Sequence, residues 1–207
     1  MTISRRSWPG GSAFDFAQAW EDPPLRRALS IGRWAFHNSV VSSLEHKSQA
    51  PLSVACFALT VSDTRTDAND TGGRTIRELL EAAGHSVTGH AIVKDDPSQV
   101  TAIVRERLAD AATQVIITTG GTGISARDTT FEAVTSLFEK RLDGFGELFR
   151  MISFNEIGSA AMMSRATAGT VGRKAIFVLP GSPAAVRLAM QKLIVPELGH
   201  VVQQLSK

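Results

Sequence analysis

Cysteine is almost absent from this chain, and long apolar runs are missing. The 207 residues contain one cysteine, Cys56, inside the apolar run VACFALTV. One thiol cannot form a disulfide within a chain, and this setting favours a buried structural role, which suits a reducing compartment. No stretch reaches the roughly 18 apolar residues that a membrane helix needs. The sequence therefore predicts a cytoplasmic protein that does not span a membrane.

Concentrated charge of one sign is also missing. Lysine and arginine number 22 against 20 aspartates and glutamates, which gives a net charge of +2, and no long basic run occurs. Nucleic-acid and membrane-surface partners are therefore not expected. The Arg5-Arg6 pair is not followed by the apolar stretch of a secretion signal. Three nearby acids, Asp15, Glu21 and Asp22, argue against a mitochondrial presequence.

Several motifs of common chemistry are lacking. The five histidines form no His-Glu-x-x-His pattern and no Cys/His cluster, which argues against a zinc site. His85 and His90 are expected at the surface or at an edge of the sheet. There is no Gly-x-Ser-x-Gly elbow, and Ser182 has no evident histidine partner, so hydrolysis by a catalytic triad is not expected.

The first 50 residues differ in composition from the rest. They hold all three tryptophans, Trp8, Trp20 and Trp34, and show no alternation of strand and helix patterns. Such aromatic density argues against a simple disordered tail. The segment either docks on the core or on a neighbouring subunit, or is a loosely ordered extension, or reflects an upstream start codon. We predict an extension at residues 1–50 and one domain at residues 51–207.

From residue 52 onwards, short apolar runs alternate with helical patterns. Strands are predicted at residues 54–61, 86–93, 115–118, 167–171 and 175–179, and helices at residues 74–83, 98–112, 129–138, 145–154 and 183–204, the last interrupted at Pro196. Asp96 is expected to cap the second helix, with Gln99 completing a capping box. Thr129 and Glu132 are expected to form another capping box at the third helix.

This alternation predicts an α/β fold in which helices cover both faces of a mostly parallel sheet. Ligands bind such sheets at the carboxyl ends of the strands. The unusual motifs all lie in turns that follow predicted strands, at residues 62–73, 94–96, 120–128 and 180–183. We therefore expect a functional site at that edge of the sheet.

The glycine-rich loop after the third strand, Gly120-Gly121-Thr122-Gly123, matches neither common nucleotide fingerprint, because it lacks the Walker lysine and the G-x-G-x-x-G spacing. Its glycines can adopt positive φ and leave amide groups unobstructed around phosphate oxygens. The alternative interpretation is a tight turn between strand and helix. Arg127 either contacts an anion or is solvated.

Two aspartates remain without a capping role in this interpretation. Thr129 and Asp96 can cap their helices, so Asp128 and Asp95 are left at the ends of neighbouring strands. Mg²⁺ is a hard ion that takes one or two carboxylates together with substrate phosphates. The sequence therefore indicates a magnesium-nucleotide site that includes Asp95 and Asp128.

An ordered set of motifs resembles one known family. The motifs are TTGGTG at residues 118–123, the Arg127-Asp128 pair, GFGE at residues 144–147, Ser164-Arg165, and LPGSP at residues 179–183. Together they are similar to the MoaB/MogA molybdenum-cofactor biosynthesis proteins, and the central TVSDTR and SFNEIG runs are closer to the MoaB type. The resemblance spans about residues 51–204 and implies a three-layer αβα sandwich, a homotrimer or homohexamer, and partners in molybdenum-cofactor biosynthesis.

The resemblance also implies an activity. Active members adenylate molybdopterin with Mg-ATP and release pyrophosphate. Asp95 and Asp128 correspond to the two functional acids of the family, as catalytic residues and ligands of Mg²⁺. The matching positions for substrate and nucleotide binding are Gly120, Gly121, Thr122, Gly123, Asp63, Asp70, Gly72, Ser164, Arg165, Pro180, Gly181 and Ser182.

One departure from the family pattern affects the same loop. Active members commonly have D-x-T-P-[ED]-A after the glycine loop, whereas this chain has Phe131 in place of the proline. Activity is not assured for every MoaB-type member. Two hypotheses therefore stand, a molybdopterin adenylyltransferase and a non-catalytic protein that binds molybdopterin or serves as a scaffold.

Overall fold

A computed structural model of the chain describes residues 50–207. The predicted extension lies outside this range except for Ala50, so the division into an extension and a domain stays a prediction. The helices of the described part include none that is long and apolar enough to cross a membrane.

A six-stranded sheet forms the centre of the described chain. Its strands are β1 (Ala55–Val61), β2 (Ser86–Val93), β3 (Val115–Thr119), β4 (Lys140–Arg141), β5 (Thr167–Val171) and β6 (Lys174–Leu179). The spatial order is β2-β1-β3-β6-β5-β4. The four strands from β2 to β6 are parallel, whereas β5 and β4 are antiparallel to their neighbours. The predicted mostly parallel sheet is confirmed, and β4 is an addition that was not predicted.

Helices cover both faces of the sheet. They are α1 (Thr71–Ala82), α2 (Pro97–Ala109), α3 (Thr130–Thr135), α4 (Asp143–Ile157), a 3₁₀ helix (Gly158–Met163), α5 (Pro183–Ala189), a π-helical turn (Met190–Ile194) and α6 (Val195–Ser206). Alternate residues of β1 point into two separate cores: Cys56 and Ala58 pack with α1, α4, α5 and α6, and Phe57 and Leu59 pack with α2 and α3. The predicted three-layer αβα sandwich is confirmed.

Several helix ends differ from the prediction for identifiable reasons. α1 begins three residues earlier than predicted because the Asp70 side chain accepts a hydrogen bond from the Gly73 amide and caps the helix. α2 ends three residues earlier than predicted because the Asp110 side chain accepts a hydrogen bond from the Ala112 amide and turns the chain. α4 extends beyond the predicted range at both ends.

The break in the C-terminal helix is confirmed at a slightly different place. Pro196 lies in the first turn of α6, and the irregularity precedes it as the π-helical turn Met190–Ile194. Proline has no amide hydrogen to donate to the preceding turn, which accounts for a local change in hydrogen-bond pattern at this point.

The single cysteine is buried, as predicted. Cys56 lies in β1 with no exposed surface, and its burial raises the pKa of the thiol to about 12. A thiol in such an environment is unreactive, so Cys56 contributes packing.

Candidate functional site at the carboxyl edge of the sheet

Four turns meet at one edge of the sheet, as predicted. β1, β2, β3 and β6 are parallel, so the turns after Val61, Val93, Thr119 and Leu179 lie at the same end. β5 runs in the opposite direction, with Thr167 paired to Val178, so the segment that precedes β5 reaches the same edge. The sheet therefore brings most of the predicted site residues to one edge.

The glycine loop after β3 requires glycine at two positions. Gly120 and Gly121 have φ of 98° and 61°, values in the left-handed region that favours glycine. A Cβ on Gly120 would lie 2.1 Å from the carbonyl oxygen of Val61, and one on Gly121 would lie 2.1 Å from Oγ1 of Thr130. Both positions therefore bring backbone close to neighbouring elements.

The loop also leaves backbone donors available. Within the described part of the chain, the amides of Gly121 and Thr122 donate to no protein oxygen, whereas the Gly120 amide donates to the Leu179 carbonyl at 3.2 Å. Gly181, from the turn after β6, packs against Gly120. Two consecutive unpaired amides at the end of a strand are suited to donating hydrogen bonds to phosphate oxygens.

Three carboxylates line one cleft beside this loop. The cleft has a volume of about 300 Å³, and its walls come from the turns after β1, β2 and β3. The carboxylates are those of Asp63, Asp95 and Asp128. Gly121 and Arg127 also line this cleft. The structure thus brings the two predicted catalytic acids together with part of the glycine loop.

Asp95 faces the loop with one oxygen and the third helix with the other. Its Oδ1 accepts hydrogen bonds from the hydroxyls of Thr129, at 3.1 Å, and Thr130, at 3.2 Å. A Cβ on Gly121 would lie 2.6 Å from Oδ2 of Asp95, so glycine at this position keeps space around that oxygen. None of the hydrogen bonds within the described residues reaches Oδ2.

The predicted capping box at the third helix is wrong. The Thr129 side chain makes no cap hydrogen bond, because its hydroxyl donates to Asp95. Glu132 forms an ion pair with Arg165. Both side chains of the pattern therefore bind distant residues, and α3 is short. The cap at α2 is confirmed, since the Asp96 side chain accepts a hydrogen bond from the Gln99 amide at 2.9 Å.

Asp128 does not cap a helix. Its Oδ2 accepts hydrogen bonds from the hydroxyl of Ser125 and from the Ser125 amide, the latter at 3.2 Å. The hydrogen bond from the Ser125 hydroxyl is the main reason that the pKa of Asp128 is lowered. The side chain is therefore ionised at neutral pH, and it lies in the lining of the cleft.

Asp63 connects two turns of the cleft. It forms an ion pair with Arg127, and its Oδ1 accepts a hydrogen bond from the Asp95 amide at 3.3 Å. Arg127, for which the sequence left two interpretations, therefore binds a carboxylate of the protein itself.

A second cleft of about 260 Å³ adjoins the first. It is lined by residues that include Asp70, Gly72, Gly120, Gly121 and Gly181. The two clefts share Val61, Ser62, Thr64 and Gly121. Two neighbouring spaces with a common wall of backbone are suited to two substrates that must meet.

Three of the predicted binding residues have structural roles. Asp70 is buried, and its oxygens accept hydrogen bonds from the Gly73 amide at 2.9 Å and the Thr60 hydroxyl at 2.8 Å. Ser182 caps α5, with its hydroxyl accepting a hydrogen bond from the Ala185 amide at 3.2 Å. The Pro180 carbonyl accepts a hydrogen bond from Thr119 at 2.9 Å. These contacts fix the walls of the clefts.

The sequence interpretation missed the role of His90. This residue lies within the edge strand β2, where its side chain is 13% exposed, and its Nε2 is 3.0 Å from Oδ2 of Asp70. The expectation of an edge position is correct, but the side chain is largely buried and lies within hydrogen-bond distance of Asp70. No local pattern could indicate this contact, because Asp70 is 20 residues away in the sequence.

Arg165 holds the glycine loop. Its Nε donates to the Thr122 carbonyl at 2.8 Å, and its Nη2 donates to the Gly123 carbonyl at 2.7 Å. The guanidinium also lies over the ring of Phe131, 4.8 Å from the ring centre. Arg165 thus positions the loop, and Phe131, the departure from the family pattern, supports Arg165.

The donor set fits Mg²⁺ bound together with a substrate phosphate. Asp95 and Asp128 supply carboxylates in one cleft, which is the number that such a site takes from the protein. The residues described here contain no group of three or more His, Cys, Asp or Glu side chains that could hold a metal ion. The arrangement therefore suits a metal held partly by phosphate and not a site made of protein ligands alone.

Comparison with known proteins agrees with this fold and identifies the family. A family model described as "Probable molybdopterin binding domain" matches residues 57–200. Molybdenum cofactor biosynthesis protein B of Bacillus cereus is 53% identical over 168 residues, which are 81% of this chain and 99% of that protein. The Bacillus subtilis protein of the same name is 51% identical over 168 residues, which are also 81% of this chain and 99% of that protein.

Solved structures give the same result. A crystal structure of molybdenum cofactor biosynthesis protein B has a TM-score of 0.74 and 53% identity, and covers 76% of this chain and 99% of that chain. The tungsten cofactor synthesizing protein MoaB from Pyrococcus furiosus has a TM-score of 0.69 and 34% identity, covering 76% and 100%. MogA has a TM-score of 0.66 and 30% identity, covering 73% and 99%. The chain therefore belongs to the MoaB/MogA family of molybdenum-cofactor biosynthesis proteins, and is closer to the MoaB type.

Proposed function

We propose that this protein adenylates molybdopterin with Mg-ATP. An oxygen of the terminal phosphate of molybdopterin attacks the α-phosphorus of ATP, the bond from that phosphorus to the bridging oxygen breaks, and pyrophosphate leaves. The observation that carries this proposal is the meeting of Asp95, Asp128 and the unpaired amides of Gly121 and Thr122 at one edge of the sheet. The single buried cysteine is consistent with an activity in the reducing cytoplasm.

Each group has a role that follows from its position. The amides of Gly121 and Thr122 donate to phosphate oxygens, and the carboxylates of Asp95 and Asp128 hold Mg²⁺. The metal, when bound, neutralises negative charge that develops on the phosphate oxygens. Phosphoryl-type transfer depends mainly on positioning and charge neutralisation, so this donor set is sufficient without a nucleophile from the protein.

The paired clefts support a reaction between two substrates. Asp95 and Asp128 line only the first cleft, whereas Gly72 and Gly181 line only the second. Gly121 lines both clefts. We infer that the nucleotide and the molybdopterin phosphate meet at this shared wall.

A second candidate function is binding of molybdopterin without catalysis. It is favoured because groups of the protein itself already bind two carboxylates of the cleft. Asp63 forms an ion pair with Arg127, and one oxygen of Asp128 accepts hydrogen bonds from Ser125. These contacts must be rearranged or tolerated when a metal and a nucleotide bind. A protein with only a binding role requires no such change.

Titration of the full-length protein with ATP, with and without Mg²⁺, distinguishes the two functions. Calorimetry should show ATP binding that requires Mg²⁺ and that weakens at least about tenfold in Asp95→Asn. Asp96→Asn is a matched control, because asparagine also caps helices and Asp96 does not line either cleft. Molybdopterin binding with no magnesium-dependent ATP binding would contradict the proposed reaction and favour the binding role.

We also propose that copies of this chain associate into a trimer or a hexamer, as the family resemblance implies. α4 and the following 3₁₀ helix expose large apolar side chains at Leu148, Met151, Phe154, Ile157 and Met162, each at least 48% exposed. A surface of this kind is typical of subunit interfaces. Light scattering should give a trimer or hexamer mass for the wild type and a lower mass for Phe154→Glu. A monomeric wild type would contradict this proposal.

A further inference from the structure

His90 is a largely buried side chain that lines neither cleft of the proposed site. It lies in the edge strand β2, and its side chain is 13% exposed. Its Nε2 is 3.0 Å from Oδ2 of Asp70, whose side chain is 2% exposed and lines the second cleft. His90 also lies outside the motifs that carry the family resemblance. Its contact with Asp70 therefore has no role in the reaction as proposed above.

The ionisation of Asp70 decides which nitrogen of His90 carries hydrogen. Burial raises the pKa of Asp70, but hydrogen bonds from Gly73, Thr60 and His90 outweigh this effect and lower the pKa. The carboxyl group is therefore ionised at neutral pH and can only accept hydrogen bonds. Nε2 of His90 must then be the donor. Nδ1, the other ring nitrogen, is 3.9 Å from Oδ1 of Asp67, which is beyond hydrogen-bond distance.

Asp70 connects β2 to the two elements that line the second cleft beside it. Its Oδ2 accepts hydrogen bonds from the Thr60 hydroxyl of β1, at 2.8 Å, and from His90. Its Oδ1 accepts a hydrogen bond from the Gly73 amide in the first turn of α1, at 2.9 Å. A Cβ on Gly73 would lie 2.2 Å from Oδ2, so the carboxylate fits only because residue 73 is glycine. Thr60 and Gly72 line the second cleft together with Asp70, so the direction of this carboxylate affects the wall of the cleft.

Loss of the His90 contact would leave the Asp70 carboxylate poorly compensated. A buried carboxylate is costly unless it is paired and hydrogen-bonded. Of the three described donors to Asp70, the Thr60 hydroxyl and the Gly73 amide are neutral, and the imidazole ring is the one that can carry charge. Without the ring, Oδ2 keeps one described hydrogen bond, and the carboxylate is free to turn towards the open cleft. The wall of the cleft would then change, although His90 itself does not line it.

We propose that His90 is a positioning residue for the substrate of the second cleft, because its Nε2–H fixes the direction of the Asp70 carboxylate and hence the wall formed by Thr60 and the first turn of α1. This inference rests on the proposed function, in which the phosphates of Mg-ATP bind at Asp95 and Asp128 in the first cleft, so that the second cleft receives molybdopterin. His90 acts through Asp70 and lines neither cleft. Its removal should therefore weaken molybdopterin binding and leave Mg-ATP binding unchanged.

Calorimetric titrations of the full-length protein with molybdopterin and, separately, with Mg-ATP test the proposal. His90→Leu should weaken molybdopterin binding about five- to tenfold, and His90→Gln, whose amide N–H can replace Nε2–H, should bind within about twofold of wild type. Both variants should bind Mg-ATP as wild type does. His200→Leu is the matched control, because Nδ1 of His200 is 3.2 Å from Oε2 of Glu197 and His200 lines neither cleft. It should leave both affinities unchanged.

A purely structural role for His90 gives a different result. The urea midpoint would then fall in His90→Leu while molybdopterin affinity stays the same, and this outcome overturns the proposal. Equal loss of both affinities, or loss of Mg-ATP affinity alone, also overturns it. Because binding is measured and not turnover, a protein that binds molybdopterin without adenylating it contradicts the proposed function and still tests the role of His90.

Nitrogen-15 NMR of the histidine rings gives a second test on the wild-type protein, which does not depend on a variant that folds. The His90 ring is assigned through its connection to the backbone resonances. At a pH at which this ring is neutral, the proposal predicts hydrogen on Nε2 and a change in the ring nitrogen shifts when molybdopterin binds. Hydrogen on Nδ1, or ring shifts that molybdopterin does not change, would show that His90 does not position Asp70 for the substrate.

Discussion

Individual carboxylates at this edge of the sheet differ in how many of their oxygens the protein itself occupies. Both oxygens of Asp70 accept hydrogen bonds from buried neighbours, so Asp70 holds the structure together. Asp95 binds two hydroxyls with Oδ1 only, and Oδ2 faces the glycine loop. The sequence analysis predicted Asp95 as a catalytic residue and metal ligand, and Asp70 as a residue that binds substrate or nucleotide. The distinction depends on contacts across 10 to 35 residues of sequence, which a local pattern does not contain.

Asp70 should make stability depend on pH. Its burial alone would raise its pKa, but hydrogen bonds from Gly73, Thr60 and His90 outweigh this effect and lower the pKa. The stabilisation is therefore present above the pKa of the unfolded chain and is lost as pH falls through the lowered folded value. Asp70→Asn should cost about 1–3 kcal/mol at neutral pH, and the difference from wild type should shrink on acidification.

Urea unfolding over a pH series measures this effect. Asp67→Asn serves as the control, because the Asp67 side chain is 93% exposed and its nearest contact with His90 is 3.9 Å. A constant difference between wild type and Asp70→Asn from neutral to acidic pH would show that the charge of Asp70 does not contribute.

Asp128 should affect turnover more than binding. Its carboxylate lines the first cleft and caps no helix, so its replacement by the isosteric amide leaves the fold intact. Asp128→Asn should lower turnover at least about 100-fold and leave molybdopterin affinity nearly unchanged. Adenylation kinetics and a molybdopterin titration on the same preparation test this. Unchanged turnover would exclude Asp128 from the reaction.

Strands were predicted more accurately than helix ends, for a physical reason. The sequence runs that form β1, β2, β3, β5 and β6 are bounded by turn residues, and their predicted limits agree with the structure to within one residue. α3 was predicted to be longer, with a capping box that does not form. The side chains of that pattern bind Asp95 and Arg165, each more than 30 residues away. Contacts with distant residues therefore replaced the predicted capping box at the carboxyl edge of the sheet.

The strand-to-helix turn after β3 should tolerate no side chain at its first glycine. Gly120→Ala places a Cβ 2.1 Å from the Val61 carbonyl at a positive φ, and should destabilise the protein by at least about 1–3 kcal/mol and weaken ATP binding. Gly144→Ala is the control, since Gly144 lies in α4 with no heavy atom within 4 Å of its Cβ position. It should be neutral or slightly stabilising.

Denaturant midpoints of the two glycine variants test this pair directly. If Gly120→Ala and Gly144→Ala unfold at the same denaturant concentration as wild type, the turn is more adaptable than its contacts indicate. The role assigned to the backbone of the glycine loop would then be wrong.

The molecule as a whole protects its only thiol. Cys56 lies in β1 between two covering layers, and burial raises its pKa to about 12. The native thiol is therefore protonated at pH 8 and does not react as a thiolate. A thiol reagent should therefore label the native protein only as fast as β1 opens, and label the denatured protein at once. Immediate labelling of the native protein would show that the central strand is accessible.

The order of the motifs indicated the family, and the alternation of apolar runs with helical patterns indicated the fold. The sequence did not indicate the two adjoining clefts or the hydrogen bonds from Arg165 to the glycine loop. Both depend on how turns that are distant in the sequence pack together. The predicted extension at residues 1–50 stays a prediction.

Formation of adenylated molybdopterin tests the central claim most directly. Full-length protein, molybdopterin and ATP labelled at the α-phosphorus are incubated with and without Mg²⁺, and the products are separated by chromatography and identified by mass. The proposed function predicts label on molybdopterin, with pyrophosphate in equal amount, only when Mg²⁺ is present. Bound molybdopterin that acquires no label in the presence of Mg-ATP would contradict the adenylyltransferase and leave a binding protein.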